Sequence, residues 1–287
     1  MDKLTTDGVD GMPERQGLAH EITRLFTTGR LNLSGRPNAP KAGWDSMPEV
    51  AMAAKLRAGG ATSVEVRLFL TFTSALDRAR DATALWTKSA HLFMEVRWPF
   101  SPEDSTGHPV NEVREVLQKY GVSQRHGPDS AGWQRIALTL CEPTLVPLVR
   151  KAIHEGTGDV HLLLQELSSQ KDGEFLLPFL RGPKVGPMWI RMLAYPGEAT
   201  ITSLDALPVA VDVQVRKVTE YLAITNIVGQ PLERVRADIQ TRWAEDVRLS
   251  GAEGPPAPGI SGGEPLFHLG LVARTSAGCW ASDGPFG

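Results

Sequence analysis

The chain has 287 residues, 41% hydrophobic and 22% charged, with a net charge of -3 and a mean hydropathy of -0.16. That composition suits one large globular domain or two modest lobes, and no apolar run approaches the roughly 18 residues of a membrane-spanning helix. The two cysteines, Cys141 and Cys279, exclude a four-cysteine zinc or iron–sulfur site, and the slight acidic excess argues against an indiscriminate grip on nucleic acid.

The start, Met1 to Thr6, has no apolar core of a signal peptide, so a reducing, cytoplasmic setting is expected. Residues 1–45 read as loop-rich, with one short helix near Gln16–Phe26. A helix is predicted over Met47–Leu56, stopped by Gly59-Gly60. Thr62 to Glu65 offers a cap before the run Val66–Phe72, whose β-branched and aromatic content leaves helix and strand both open. The continuation from Ser74 to Ala82 reads as helical, giving one long core helix or a closely spaced pair. Further helices are expected at Asp81–Val96, Asn111–Lys119, Ser130–Leu140 and Thr144–Glu155, and another from a cap at Asp159 to about Ser168. Alternating strand patterns are rare and no internal repeat is visible, so the class is all-α. Gly251–Gly263 reads as a linker and Pro265–Gly287 as a tail. The helical domain therefore spans 46–250, between the 1–45 and 251–287 segments.

The chemistry concentrates in Leu180-Arg181-Gly182-Pro183-Lys184-Val185-Gly186. Gly182 can take a positive φ, and Pro183 presets the first turn of a helix. That helix carries Val185, Met188, Trp189, Met192 and Leu193 on one face and ends near Tyr195-Pro196-Gly197. Unpaired N–H groups at its start face whatever anion lies in front. Among those dipoles and packed apolar side chains, Lys184 is a usable amine nucleophile. The connection that follows can return to place Asp212 beside it, at the start of a helix with Val211, Val215, Val218 and Leu222 on its apolar face. Between Pro178 and Arg248 there are nine Lys/Arg and eight Asp/Glu, so any DNA contact rests on a few placed cations and amides.

From about Leu177 to Leu222 this arrangement resembles the helix-hairpin-helix DNA glycosylases, and most of all the bifunctional 8-oxoguanine glycosylase/lyases, including the archaeal type. Within Val209 to Arg216, Val211, Asp212 and Val215 fall on the Val, Asp and Val of the family's Pro-Val-Asp-x-x-Val-x-Arg pattern. The hairpin departs from Leu-Pro-Gly-Val-Gly-x-Lys, and the Lys–Asp spacing of 28 is long, as in the archaeal type. The resemblance implies a two-lobed helical fold that flips a modified base, such as an oxidised purine, out of double-stranded DNA. By it, Lys184 is the nucleophile and Asp212 the essential aspartate, while Arg181, Gly182, Val185, Gly186 and Arg216 contact DNA. It implies no metal or organic cofactor, no membrane, and a monomeric, nucleoid-associated enzyme.

Two other readings stay open: a non-catalytic helix-hairpin-helix module that binds DNA or senses damage, and an α-helical interaction protein. Trp44, Trp98, Trp133, Trp243 and Trp280 are candidate base-stacking platforms, of which one at most is expected to serve. From the residues alone, Arg181, Arg216 and Lys217 read equally as phosphate contacts or surface charges. The seven histidines lack metal-ligand spacing, and His91, between Ala90 and Leu92, is expected in the core. Both cysteines read as structural thiols.

Overall fold

The computed structural model describes Thr28 and residues 43–249 except 79 and 222–224. The expected helix at Gln16–Phe26, the linker Gly251–Gly263, the tail Pro265–Gly287, and with them Leu222, Cys279 and Trp280, lie outside the described residues.

Helix α1 (Pro48–Ala58) starts on a proline and stops at Gly59 and Gly60, where φ reaches 85° at Gly60. Helix α2 (Ser63–Ala75) opens with a capping box. The Thr62 hydroxyl accepts the Glu65 N–H (3.2 Å), and the Thr62 N–H donates to the Glu65 carboxylate (2.8 Å). The ambiguous run Val66–Phe72 is thus helical. Every residue from Val66 to Ala75 is buried, and this burial outweighs the weak helix propensity of its β-branched residues.

The expected helical continuation to Ala82 is not formed. Helix α2 ends at Ala75, and α3 (Ala82–Glu95) restarts with the Asp81 carboxylate accepting the Ala84 N–H at 2.7 Å. A short acidic side chain serves better as a cap than inside a helix, so Asp81 divides the segment. The intervening turn carries Asp77, Arg78 and Arg80. His91 also departs from expectation: it sits on the outer face of α3, 63% exposed and paired with Glu95 at 2.7 Å. Its neighbours Ala90 and Leu92 are buried, as the 100° step per residue allows.

Helices α4 (Pro102–Gly107), α5 (Val110–Lys119), α6 (His126–Cys141) and α7 (Pro147–His154) follow. Helix α7 starts at Pro147 rather than Thr144, whose hydroxyl turns to Glu142 at 2.9 Å. Helix α6 begins before the expected Ser130 because Asp129 braces the turn ahead of it. Its carboxylate accepts the N–H groups of Gln124 (3.0 Å) and Arg125 (2.9 Å), the Ser123 hydroxyl and the Arg125 guanidinium. Burial pushes the Asp129 carboxyl up, but these donors outweigh it and hold it below its ordinary value. A depressed folded value gives stability that is present above the ordinary aspartate range and lost as pH falls through the folded value. Asp129→Asn should therefore cost about 1–3 kcal/mol at neutral pH and progressively less in acid, as pH falls below the ordinary aspartate range. Urea midpoints at neutral and acid pH check this; equal losses would contradict it.

Strand β1 (Thr157–Asp159) leads into α8 (Val160–Leu167), whose first N–H groups, at His161 and Leu162, are capped by Asp159. Strands β2 (Gln170–Lys171) and β3 (Glu174–Phe175) form a tight antiparallel ribbon. Asp172 and Gly173, with φ 55° and 80°, make its two-residue turn. Helix α9 (Val185–Ala194) comes next, and β4 (Thr200–Thr202) then pairs in parallel with β1. Helices α10 (Val213–Tyr221) and α11 (Leu232–Leu249) complete the described chain. The architecture is mostly helical, in line with the all-α expectation. The strands are two or three residues long, too short to show alternation in sequence.

The core is aromatic around α2, α3 and α6, where Phe72 stacks on Trp133 at 4.8 Å and the Trp133 indole donates to the Pro99 carbonyl (2.7 Å). Helix α9 packs on α2 and α8, and the Trp189 indole donates to the Thr71 hydroxyl at 3.0 Å. Its far end is held by Arg191, 2% exposed, which pairs with the equally buried Glu49 of α1. The Trp243 indole joins α11 to α10 through the Thr219 hydroxyl (2.9 Å). Among the described residues no helix is long and apolar enough to cross a membrane.

Candidate active site

Four pieces of chain border a cleft of about 1040 Å³: the turn between α2 and α3, the hairpin before α9, the start of α10, and the first turns of α11. Lys184 is the N-cap residue of α9 and lies where these pieces meet. Its side chain is 23% exposed, and its Nζ is 4.0 Å from Asp212 Oδ2. The other Asp212 oxygen accepts the Val215 N–H at 3.0 Å, so the aspartate caps α10 while facing the amine. The return of the chain over the 28-residue spacing thus brings Lys184 and Asp212 together.

A third group joins them. Asp77, from the turn between α2 and α3, places its Oδ2 4.0 Å from the same Nζ with its side chain only 3% exposed. Reading Ser74–Ala82 as one helix hides Asp77, because on a continuous helix it is one more surface charge. The restart signal is legible in Asp81 followed by Ala82, Ala84 and Leu85, an acidic cap before good helix formers.

The hairpin differs in detail from its sequence reading. The residue in the left-handed region is Phe179, φ 73°, whereas Gly182 is absent from the positive-φ residues and a Cβ there would meet nothing within 4 Å. The left-handed position thus falls three residues earlier than expected. Gly186 does require its missing side chain: a Cβ would lie 3.0 Å from the Leu180 carbonyl and 3.3 Å from the Leu167 side chain. Fewer amides face an anion than expected. Pro187 in the first turn has no N–H, and the Gly186 N–H is given to the Gly182 carbonyl at 2.9 Å. Neither Gly186 nor Pro187 therefore offers an N–H to a phosphate in front of the helix.

Of the other expected contacts, Arg181 is exposed at the cleft, its guanidinium 3.5 Å over the Phe175 ring. Val185 is 5% exposed and forms apolar lining. Arg216 folds along α10 onto Glu220 (2.9 Å) and is not part of the cleft lining, and Lys217 is exposed. None of the described tryptophans lines the cleft. Trp44, Trp133 and Trp243 are buried, and Trp98 stacks on His108 at 3.9 Å. The aromatic lining is instead Phe175 and Phe179. Phe179 lies between the Arg78 and Arg125 guanidinium groups, 5.1 and 5.4 Å from its ring centre, and packs against Gly132, where a Cβ would meet the ring at 2.2 Å. Cys141 lies outside the cleft; burial pushes its thiol up, as befits a structural role.

Five cations (Arg78, Arg80, Arg181, Lys184, Arg236) line the cleft against three acids (Asp77, Asp212, Glu233). The cleft is therefore locally positive on a chain of net charge -3.

No protein-family model, curated protein or solved structure matches the chain at a significant level.

What the arrangement can do follows from its parts. An amine held between two carboxylates can exchange a proton internally and attack an electrophilic carbon. A carboxylate at a helix start can oppose positive charge developing on that carbon. Arginines over aromatic rings suit a polyanionic ligand with planar bases.

Proposed function

We propose that the chain is a DNA glycosylase with AP-lyase activity, acting on a modified base flipped into the cleft. The observation that carries this reading is the 4.0 Å approach of Lys184 Nζ to Asp212 at the junction of a cation-lined cleft. The resemblance of residues 177–222 to the helix-hairpin-helix glycosylases supports it. In this reading the amine nitrogen bonds to the sugar C1′ as the C1′–N bond breaks, and the base departs with the bonding electrons and takes up a proton. The charged Asp212 opposes the positive charge on the sugar during that exchange. Ring opening then leaves a Schiff base on Lys184, from which the 3′ phosphate is eliminated. The cleft volume of about 1040 Å³ accommodates an extruded nucleotide together with adjoining backbone. An oxidised purine such as 8-oxoguanine is the proposed substrate, and the enzyme acts as a monomer on duplex DNA without a metal.

A panel of duplexes carrying 8-oxoguanine, uracil or alkylated bases tests this, scored for base release, nicking and borohydride-trapped adducts. The expected result is a trapped adduct whose peptide mass places the DNA on Lys184. Base release without any adduct would remove the lyase step. Salt-sensitive binding with neither release nor adduct would leave a DNA-binding module and overturn the enzymatic reading.

A further inference from the structure

The start of α9 offers a phosphate little, since the Gly186 N–H is given to the Gly182 carbonyl and Pro187 has none. Arg216 is folded onto Glu220. A grip on an anion must therefore come from the side chains of the cleft, and two of its five cations are already committed. Lys184 lies 4.0 Å from both Asp77 and Asp212. Arg80 donates through Nη1 to the Val122 carbonyl at 2.6 Å and feels the charges of Asp129 and Asp77. Arg78, Arg181 and Arg236 remain. Among the described residues none of these three forms an ion pair, whereas Arg97, Arg135, Arg191 and Arg242 elsewhere each hold a carboxylate. Glu233, one turn before Arg236 on α11, is exposed and does not pair with it.

Each of the three is set for an acceptor from outside the chain. Arg181 lies 3.5 Å over the Phe175 ring and Arg78 5.1 Å over the Phe179 ring. A guanidinium resting on a ring face keeps its N–H edge free, and that fork matches two oxygens of one phosphate. The support under Arg78 is itself fixed, because the Phe179 ring fills the space where Gly132 lacks a side chain. Arg236 has a buried Nε–H with no described acceptor. Arg80, Arg135 and Arg191 also hide that N–H but satisfy another nitrogen, on Val122, Glu174 and Glu49, whereas Arg236 satisfies none. A buried charged donor left unpaired is unfavourable, and an anion oxygen would relieve it.

We propose that Arg78, Arg181 and Arg236 hold backbone phosphates of the bound DNA strand around Lys184, in place of the hairpin amides. The resemblance implies a DNA contact only for Arg181; Arg78 and Arg236 are new assignments. The three come from the turn before α3, the hairpin and α11, all bordering one cleft of about 1040 Å³. That spread suits a run of phosphates rather than a single anion, and Phe175 and Phe179 beside it suit planar bases. The inference rests on the cleft binding DNA and not on the chemistry at Lys184.

Each phosphate neutralised releases counterions, so the salt dependence of binding counts the contacts. The probe is a fluorescent duplex carrying one tetrahydrofuran sugar, which offers no base to release and no carbonyl to trap. Its binding is followed by anisotropy from about 50 to about 300 mM salt. The parent slope of log affinity against log salt should be about -2.7 or steeper, at about 0.9 per phosphate. Arg78→Gln and Arg236→Gln should each make it shallower by about 0.9, and both together by about 1.8. Arg78→Lys and Arg236→Lys keep the charge and lose the fork, so affinity should fall while the slope stays. A merely structural arginine would not separate those two readouts. Arg242→Gln, farther along α11 and outside the cleft lining, should leave the slope as it is. A parent slope shallower than about -1.8 overturns the proposal without any variant, so a misfolded chain cannot shelter it. Slopes unchanged in Arg78→Gln and Arg236→Gln overturn it equally. Base release and adducts with unchanged slopes would remove this inference and leave the glycosylase reading. The expected slope changes with neither release nor adduct would do the reverse.

Discussion

Lys184→Gln is expected to abolish the borohydride-trapped adduct and strand nicking, a loss on the order of 10⁴-fold or more in single-turnover rate. Glutamine keeps the polarity and most of the reach but has no amine to form a carbon–nitrogen double bond. The side chain is a quarter exposed and lies at a helix start, so unfolding should shift by less than about 1 kcal/mol. Asp212→Asn is the companion variant. Its amide oxygen can still accept the Val215 N–H, so the start of α10 survives, but the charge opposing the sugar is gone. A loss on the order of 10²–10³-fold is expected, with DNA affinity kept. Gel-resolved trapping and filter binding read the two effects separately. An adduct that persists in Lys184→Gln removes Lys184 from the chemistry.

Arg191→Met should be the most damaging single change to stability, at about 3–5 kcal/mol. It leaves the Glu49 carboxylate, 3% exposed, without the guanidinium that neutralises it. Adding Glu49→Leu removes the stranded charge and should recover most of the loss, since two apolar groups then fill the site. Urea unfolding of the single and double variants checks both statements. A single-variant loss under about 1 kcal/mol would mean that water reaches Glu49. The pair bears on the site as well as on the fold, because Arg191 anchors the end of α9 opposite Lys184.

Most helices were legible because burial imposes a period that reads directly from sequence, as in Val185, Met188, Trp189, Met192 and Leu193 of α9. Caps were legible where a short polar side chain precedes an apolar run, as with Thr62 and Asp159. Tertiary choices were not. Helical pattern alone did not separate Asp77 from a surface charge, since only the break at Leu76–Asp81 turns it inward. The left-handed position fell on Phe179 rather than Gly182 because packing against Gly132, distant in sequence, fixes that ring. The apolar neighbours of His91 suggest an inward side chain, whereas its phase on α3 points it out. The strands leave no signal in sequence because pairing between Thr157–Asp159 and Thr200–Thr202 joins segments far apart in the chain. The pairing of Lys184 with Asp212 is legible because reach along the chain constrains where a returning helix can begin.

The parallel pairing of β1 with β4 has a consequence for how the site can be lost or moved. It fastens the two ends of the segment from Thr157 to Thr202, so α8, the ribbon, the hairpin and α9 form a closed module. That module carries the amine but neither carboxylate. Asp77 arrives from the segment before it and Asp212 from the segment after it. Transplanted alone into another protein, the module would carry a lysine with no chemistry. Conversely, Lys184, Asp77 and Asp212 meet only when three separate segments of the chain are in place. Local opening of any one of them would switch the site off well before the chain as a whole unfolds.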